Sequence, residues 1–165
     1  VEFQKALEAD LNDQAEMERR LEKRRQELFA RYAVTSVDAL PIAFSGVSLQ
    51  EGEEHGNEVF DAHFGPLFDT FDRQNRVYQA GGVLAPMLAT RALSMGLAGT
   101  DFSQHRHFLT AAETYRRDIQ RGLNGEIARH QKPGQVYLAG RELWDQVPAF
   151  DYTPPSAGWV LGHYR

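Results

Sequence analysis

The chain contains no cysteine. That excludes thiol nucleophiles, disulfide staples and cysteine-ligated metal centres. It leaves the redox compartment open, because a periplasmic domain needs no disulfide to fold. A long apolar run is also missing. The most hydrophobic stretch, residues 83–97, is interrupted by Pro86 and Arg91. It falls short of the roughly 20 consecutive apolar residues that a membrane span requires. Positive charge is not in excess: 18 Lys and Arg stand against 23 Asp and Glu, a formal net charge of -5. A nucleic-acid binder would show the opposite balance and a basic stripe. Gly-x-Ser-x-Gly, the phosphate loop and Gly-x-Gly-x-x-Gly are all absent, so no serine-hydrolase elbow or nucleotide cradle is encoded.

What is present is the material of one helical domain. With 165 residues, 42% hydrophobic and 25% charged, the chain can bury a core and is too short for two comfortable domains. Residues 1–32 carry Phe3, Leu7, Leu11, Met17, Leu21, Leu28 and Tyr32 at helical spacings among Glu, Arg, Lys and Gln. This predicts one long helix of about 45 Å. No Ser, Thr, Asp or Asn precedes its first apolar residue, so the helix is expected to have been cut rather than started at Val1. Residues 33–50 lose the period around Pro41 and predict an extended connection with a short strand. Residues 51–79 return to helix, in two pieces broken at Gly65-Pro66. His63 would sit as a core histidine between Phe60 and Phe64.

A short helix from Leu84 to Gly96 follows, with Pro86 acceptable in its first turn. Gly99 suits a tight exit, and Thr100 or Asp101 caps the next helix. That helix carries Phe108, Ala112, Tyr115, Ile119, Leu123 and Ile127 to about His130 and ends at Lys132-Pro133-Gly134. The tail holds a short helix near Arg141–Gln146. Pro148, Pro154 and Pro155 then predict an extended end, rich in Trp144, Phe150, Tyr152, Trp159 and Tyr164. The fold class is all-α: a single domain, residues 1–165, built as an elongated antiparallel helical bundle. Its long N-terminal helix lies near the helix at 101–130, and its C-terminal tail is extended.

Two clusters could ligate a metal. Glu54 and Glu58 share a helix face, with His55 close by, but Gly52 and Gly56 loosen the segment and no His-Glu-x-x-His is formed. His105 and His107 chelate well from a strand but diverge by about 200° on a helix. A solvated helix start and ordinary helix-face histidines account for both. Ser45, Ser48, Ser94 and Ser103 lack activating neighbours, so no catalytic residue and no cofactor is assigned.

The run RALSMGLAGTDFSQHRHFLTAAETYRR resembles a segment of bacterial ABC exporter permeases whose soluble domain is of unknown function. Leu93, Ser94, Met95, Gly99, Thr100, Asp101, Phe102, His105, His107, Phe108, Glu113, Tyr115, Arg116 and Arg117 carry the likeness. Gly56–Asp61, Gln74–Arg76 and Leu84–Pro86 are similar upstream, and so are Trp144, Val147, Pro148, Phe150 and Tyr152 downstream.

The resemblance implies a loop domain between two transmembrane helices, on the periplasmic or extracytoplasmic side of the bacterial cytoplasmic membrane. It implies no enzyme activity in this chain, ATP hydrolysis residing on a separate ATPase subunit. The partners implied are the transmembrane helices of the same permease, that ATPase subunit indirectly, and a homodimer, with no nucleic acid. The function implied is contact with a substrate or partner protein, or stabilisation of the permease dimer. The alternative expectation is a soluble helical metal-binding sensor or carrier using Glu54, His55, Glu58, His105 and His107.

Overall fold

Backbone chemistry at a few glycines, prolines and caps sets the helix ends. The computed structural model describes residues 2–82, 84–132 and 135–163, and their side chains apart from those of 2–11, 161 and 163. The expected stop at Pro133-Gly134, the aromatic Tyr164, and the side chains of Phe3, Leu7 and Leu11 therefore lie outside the described residues. The elements are α1 (Glu2–Tyr32), a 3-10 turn (Val37–Ala39), α2 (Phe44–Gly81), α3 (Pro86–Leu97), α4 (Phe102–His130), α5 (Arg141–Gln146) and α6 (Ala157–His163). No strand occurs among the described residues, and the class is an all-α helical bundle.

Three elements differ from the sequence expectation. The connection after α1 is shorter than expected and holds no strand, because α2 already begins at Phe44. Just before α2 the amide of Ala43 donates to the Ala128 carbonyl at 2.6 Å. That carbonyl is one of the four orphans at the end of α4, so one bond serves two helix termini. Second, α2 continues through Pro66 as one helix of 38 residues. A mid-helix proline removes a hydrogen bond and costs about 3 kcal/mol in isolation. Aromatic contacts span it: Phe60 and Phe64 stack at 4.5 Å, and Phe64 and Phe68 meet tilted at 6.1 Å. Third, the end of the tail is helical rather than extended. Ser156 Oγ accepts from the Trp159 amide at 3.2 Å and starts α6.

Other ends follow local rules. Gly99, at φ 73, closes α3 in the left-handed region, and the Thr100 amide reaches the Met95 carbonyl at 3.0 Å. Together these form a Schellman-type stop. The end of α1 has the same geometry, but Ala33 takes the left-handed place at φ 53, with Val34 N–H bonded to Phe29 O at 3.1 Å.

The chain divides into two compact units, Val1–Glu58 with Asp118–Val147, and Val59–Arg117 with Pro148–Arg165. The boundary thus falls inside α2 and α4. In the first unit the described ion pairs leaving α1 end on α2. Arg20 bonds Glu58 at 2.5 Å and Arg24 meets Glu51 at 3.7 Å, while Asp13 lies 2.5 Å from His55. There α2 runs antiparallel to α4, with Gly46 against Ala128 and Gln50 bonded to Asn124 at 3.2 Å. In the second unit α2 is again antiparallel to α4: Asp61 meets Arg117, and Phe68 and Phe71 meet the ring of Phe102. Full burial of large apolar side chains is confined to Leu28 and Val160 among the described residues, and most of the apolar stripes remain partly exposed.

Candidate functional site

The second unit gathers the residues that carry the resemblance, and α4 displays them on two flanks. Its first turn is built by local chemistry. Asp101, 4% exposed, accepts the Gln104 amide at 2.8 Å through its carboxylate, the expected N-cap. The buried Gln104 side chain donates to the Gly96 carbonyl, and Thr100 Oγ1 donates to Met95 O at 3.3 Å. The end of α3 is therefore tied to α4 across Gly99 by the Gln104 side chain, and Asp101 caps the start of α4.

One flank of α4 holds an ionic network. Arg117 bonds Asp61 at 2.7 Å and Glu113 at 2.8 Å, and Arg116 bonds Glu113 at 2.7 Å. The Arg116 guanidinium, joined by Arg117 and opposed by partial burial, holds the Glu113 carboxyl down at about 2. The Arg117 hydrogen bond lowers Asp61, while Asp61 and then Glu113 raise Arg117 further above its usual range. Arg106 continues the series, bonded to Asp72 and 3.7 Å from Asp69. Glu113, Asp61 and Arg117 therefore stay ionised through the physiological range. The network links α4 to α2 through the Arg117–Asp61 and Arg106–Asp72 pairs. Beside it lies a cavity of about 620 Å³ floored by Phe60, Phe68 and Leu109 and rimmed by Asp61, Glu113 and the arginines.

The other flank seats the tail. Tyr115 donates its hydroxyl to the Pro148 carbonyl at 2.7 Å, and His107 Nδ1 lies 3.3 Å from the Tyr152 hydroxyl. The Phe108 ring meets Phe150 and Tyr152 edge-on, at 5.9 Å and 5.1 Å between centroids. Such pairs add about 0.5–1.5 kcal/mol each beyond burial. Where the tail crosses the turn, a cavity of about 580 Å³ opens between Gly99, His105, Phe108, Tyr152 and Val160. Phe150 and Tyr152 are thus packed onto α4, whereas Trp144 and Trp159 remain 53% and 41% exposed.

The proposed metal ligands are spread over the two units: Glu54, His55 and Glu58 in the first, His105 and His107 in the second. Glu54 accepts from Gln50 at 2.9 Å, His55 faces Asp13, and Arg20 binds Glu58 and lowers its carboxyl. Among the described residues no group of three His, Asp or Glu side chains could hold a metal ion. His63 is exposed and donates to the Val59 carbonyl at 2.8 Å rather than sitting in the core. Gln104, Arg106, Asp69 and Asp72 were not singled out from the sequence. Their partners lie eight to 37 positions away, and only the helical phase shared by Asp69, Asp72 and their neighbours hinted at a common face.

A family model described as Domain of unknown function (DUF3526) matches residues 1–153. No curated protein and no solved structure matches the chain.

Proposed function

We propose, from the premise that this chain belongs to the DUF3526 family of domains of unknown function, that it is a non-catalytic extracytoplasmic domain of an exporter-type ABC permease. In this reading the domain sits outside the bacterial cytoplasmic membrane and contacts a substrate or a partner protein or stabilises the permease dimer. ATP hydrolysis belongs to a separate subunit. The resemblance of Leu93–Arg117 to exporter permeases supplies the transport context.

The observation that carries the reading is how the side chains of that segment are used. His107, Phe108 and Tyr115 hold the tail, and Glu113, Arg116 and Arg117 are committed to ion pairs. Large apolar side chains elsewhere are meanwhile left in solvent: Leu84 is 90% exposed, Met87 85%, Val136 and Leu138 82% each. Neutralised charge with bare apolar surface suits contact rather than a reaction centre. No helix among the described residues is long and apolar enough to cross a membrane, so in this reading the anchoring spans lie outside the described residues.

The test is topological. The 165 residues hold no cysteine, so Leu138→Cys can be introduced into the gene as it occurs in its host. A membrane-impermeant maleimide should label that site in intact spheroplasts. Labelling that appears only after lysis would overturn the extracytoplasmic placement.

A further inference from the structure

Within the second unit, α2 carries a seam that its own neighbours cover only in part. Phe60, Phe64, Leu67, Phe71 and Tyr78 follow one another at spacings of four, three, four and seven, the a/d rhythm of a helix meant to pack against another helix. They are 36%, 42%, 42%, 41% and 38% exposed. The contacts of α4 land on adjacent positions: Arg117 on Asp61, Phe102 on Phe68, Arg106 on Asp69 and Asp72. Of the seam itself, Phe71 also touches Phe102, edge-on at 5.4 Å, Phe64 meets Phe68, and Phe60 lines the cavity beside α4.

We propose that this seam is the contact surface for a second copy of this chain, joined by antiparallel packing of α2 against the α2 of its partner. Pairing about a two-fold axis near Gly65-Pro66 sets Phe60 opposite the partner's Phe71, and Phe64 opposite the partner's Leu67. The four-three-four spacing is its own complement under that operation, which is what an isologous interface requires. The area is of the right size. About two-fifths of Phe60, Phe64, Leu67 and Phe71 leaves roughly 300 Å² of apolar surface, close to the apolar share of a small stable interface of about 600 Å² per partner, and Tyr78 falls beyond the paired stretch.

Charge also favours a copy over a foreign partner. On the side away from α4 the seam is flanked by His63, Thr70 and Val77, with no carboxylate, lysine or arginine to repel a copy or to select a partner of opposite charge. Asp61, Asp69 and Asp72 on the other side are already engaged with arginines of α4. The inference gives the dimer option of the permease reading a surface, yet it stands on the seam alone. A monomeric chain would overturn it and leave the topology experiment untouched.

Sedimentation equilibrium of the 165-residue chain should give twice the monomer mass of 18.7 kDa. Phe64→Glu combined with Leu67→Glu should weaken the dimer at least ~100-fold, with helical circular dichroism unchanged. Because the chain has no cysteine, a second measurement does not depend on a destabilising variant. An equimolar mixture of Phe64→Cys and Leu67→Cys chains should form an inter-chain disulfide under mild oxidation. Arg76→Cys, on the opposite side of α2, should not. A monomer throughout the micromolar range overturns the proposal, as does a dimer that survives both glutamates and forms no 64–67 disulfide. A monomer that instead binds phosphatidylglycerol vesicles through the seam also overturns it, in favour of lipid.

Discussion

Gly46→Ala is the sharpest test of how α2 and α4 approach each other. In the first unit a Cβ at position 46 would lie 2.7 Å from both the Ala128 Cα and the Asn124 carbonyl oxygen. These are backbone atoms of a helix and cannot rotate away, so α2 and α4 must separate. Separation also strains the 2.6 Å bond from Ala43 N–H to Ala128 O. Overpacking costs about 1–3 kcal/mol, and rigid backbone on one side places this case at the upper end. Alanine recovers about 0.5–1 kcal/mol of helix propensity, leaving a net loss of about 2 kcal/mol. For a chain of this size that lowers the melting temperature by roughly 4–8 °C.

Gly56→Ala, ten positions along the same helix, is the control, because its Cβ would meet no atom within 4 Å. It should raise the melting temperature by about 1–4 °C. Thermal melts followed by circular dichroism at 222 nm read both. A Gly46→Ala chain as stable as the parent would refute the close approach. Equal losses in both variants would mean that glycine flexibility, not space, matters in α2.

Three further outcomes follow from the geometry. Ala33→Gly should stabilise by about 0.5–1 kcal/mol, because the alanine holds φ 53, and urea unfolding that shows a loss would refute a left-handed stop there. Glu113, held at about 2 against an ordinary 4.5, binds fewer protons folded than unfolded between those values. Its contribution is therefore present above about pH 4.5 and is lost as pH falls toward 2, so Glu113→Gln should flatten the melting temperature across that window relative to the parent. Tyr115→Phe removes the 2.7 Å bond to the Pro148 carbonyl and should cost about 0.5–1.5 kcal/mol. Amide exchange should then rise in residues 148–156 and not in α3.

Elements governed by neighbouring residues were legible in the chain. Pro86 at the start of α3, Gly99 at its end and Asp101 capping α4 all stand where their chemistry placed them. What escaped was decided at long range. Proline rules predicted a break at Pro66, but α2 continues through it, with aromatic contacts among Phe60, Phe64 and Phe68 spanning the site. The start of α2 at Phe44 depends on Ala128, a residue 85 positions beyond Ala43 whose carbonyl no pattern advertises. Ser156 was a readable cap for α6, masked by the prolines before it. Of the candidate site, Glu113, Arg116 and Arg117 stood out among the residues that carry the family resemblance. Their tie to Asp61 spans 56 positions and needs the folded antiparallel pair.

The way the tail is held sets where this domain can be shortened. A chain ended after Val147 would keep every residue of α1 to α5, yet it would strip Phe150 and Tyr152 from the rings of Phe108 and Tyr115. It would also remove Val160, 2% exposed and, with Leu28, one of two buried large apolar side chains among the described residues. Such a fragment would read as helical in a spectrometer and behave as an adhesive in the tube, its bared aromatic ledge recruiting whatever apolar surface it met first. Faithful handling of this domain therefore means carrying the chain through His163.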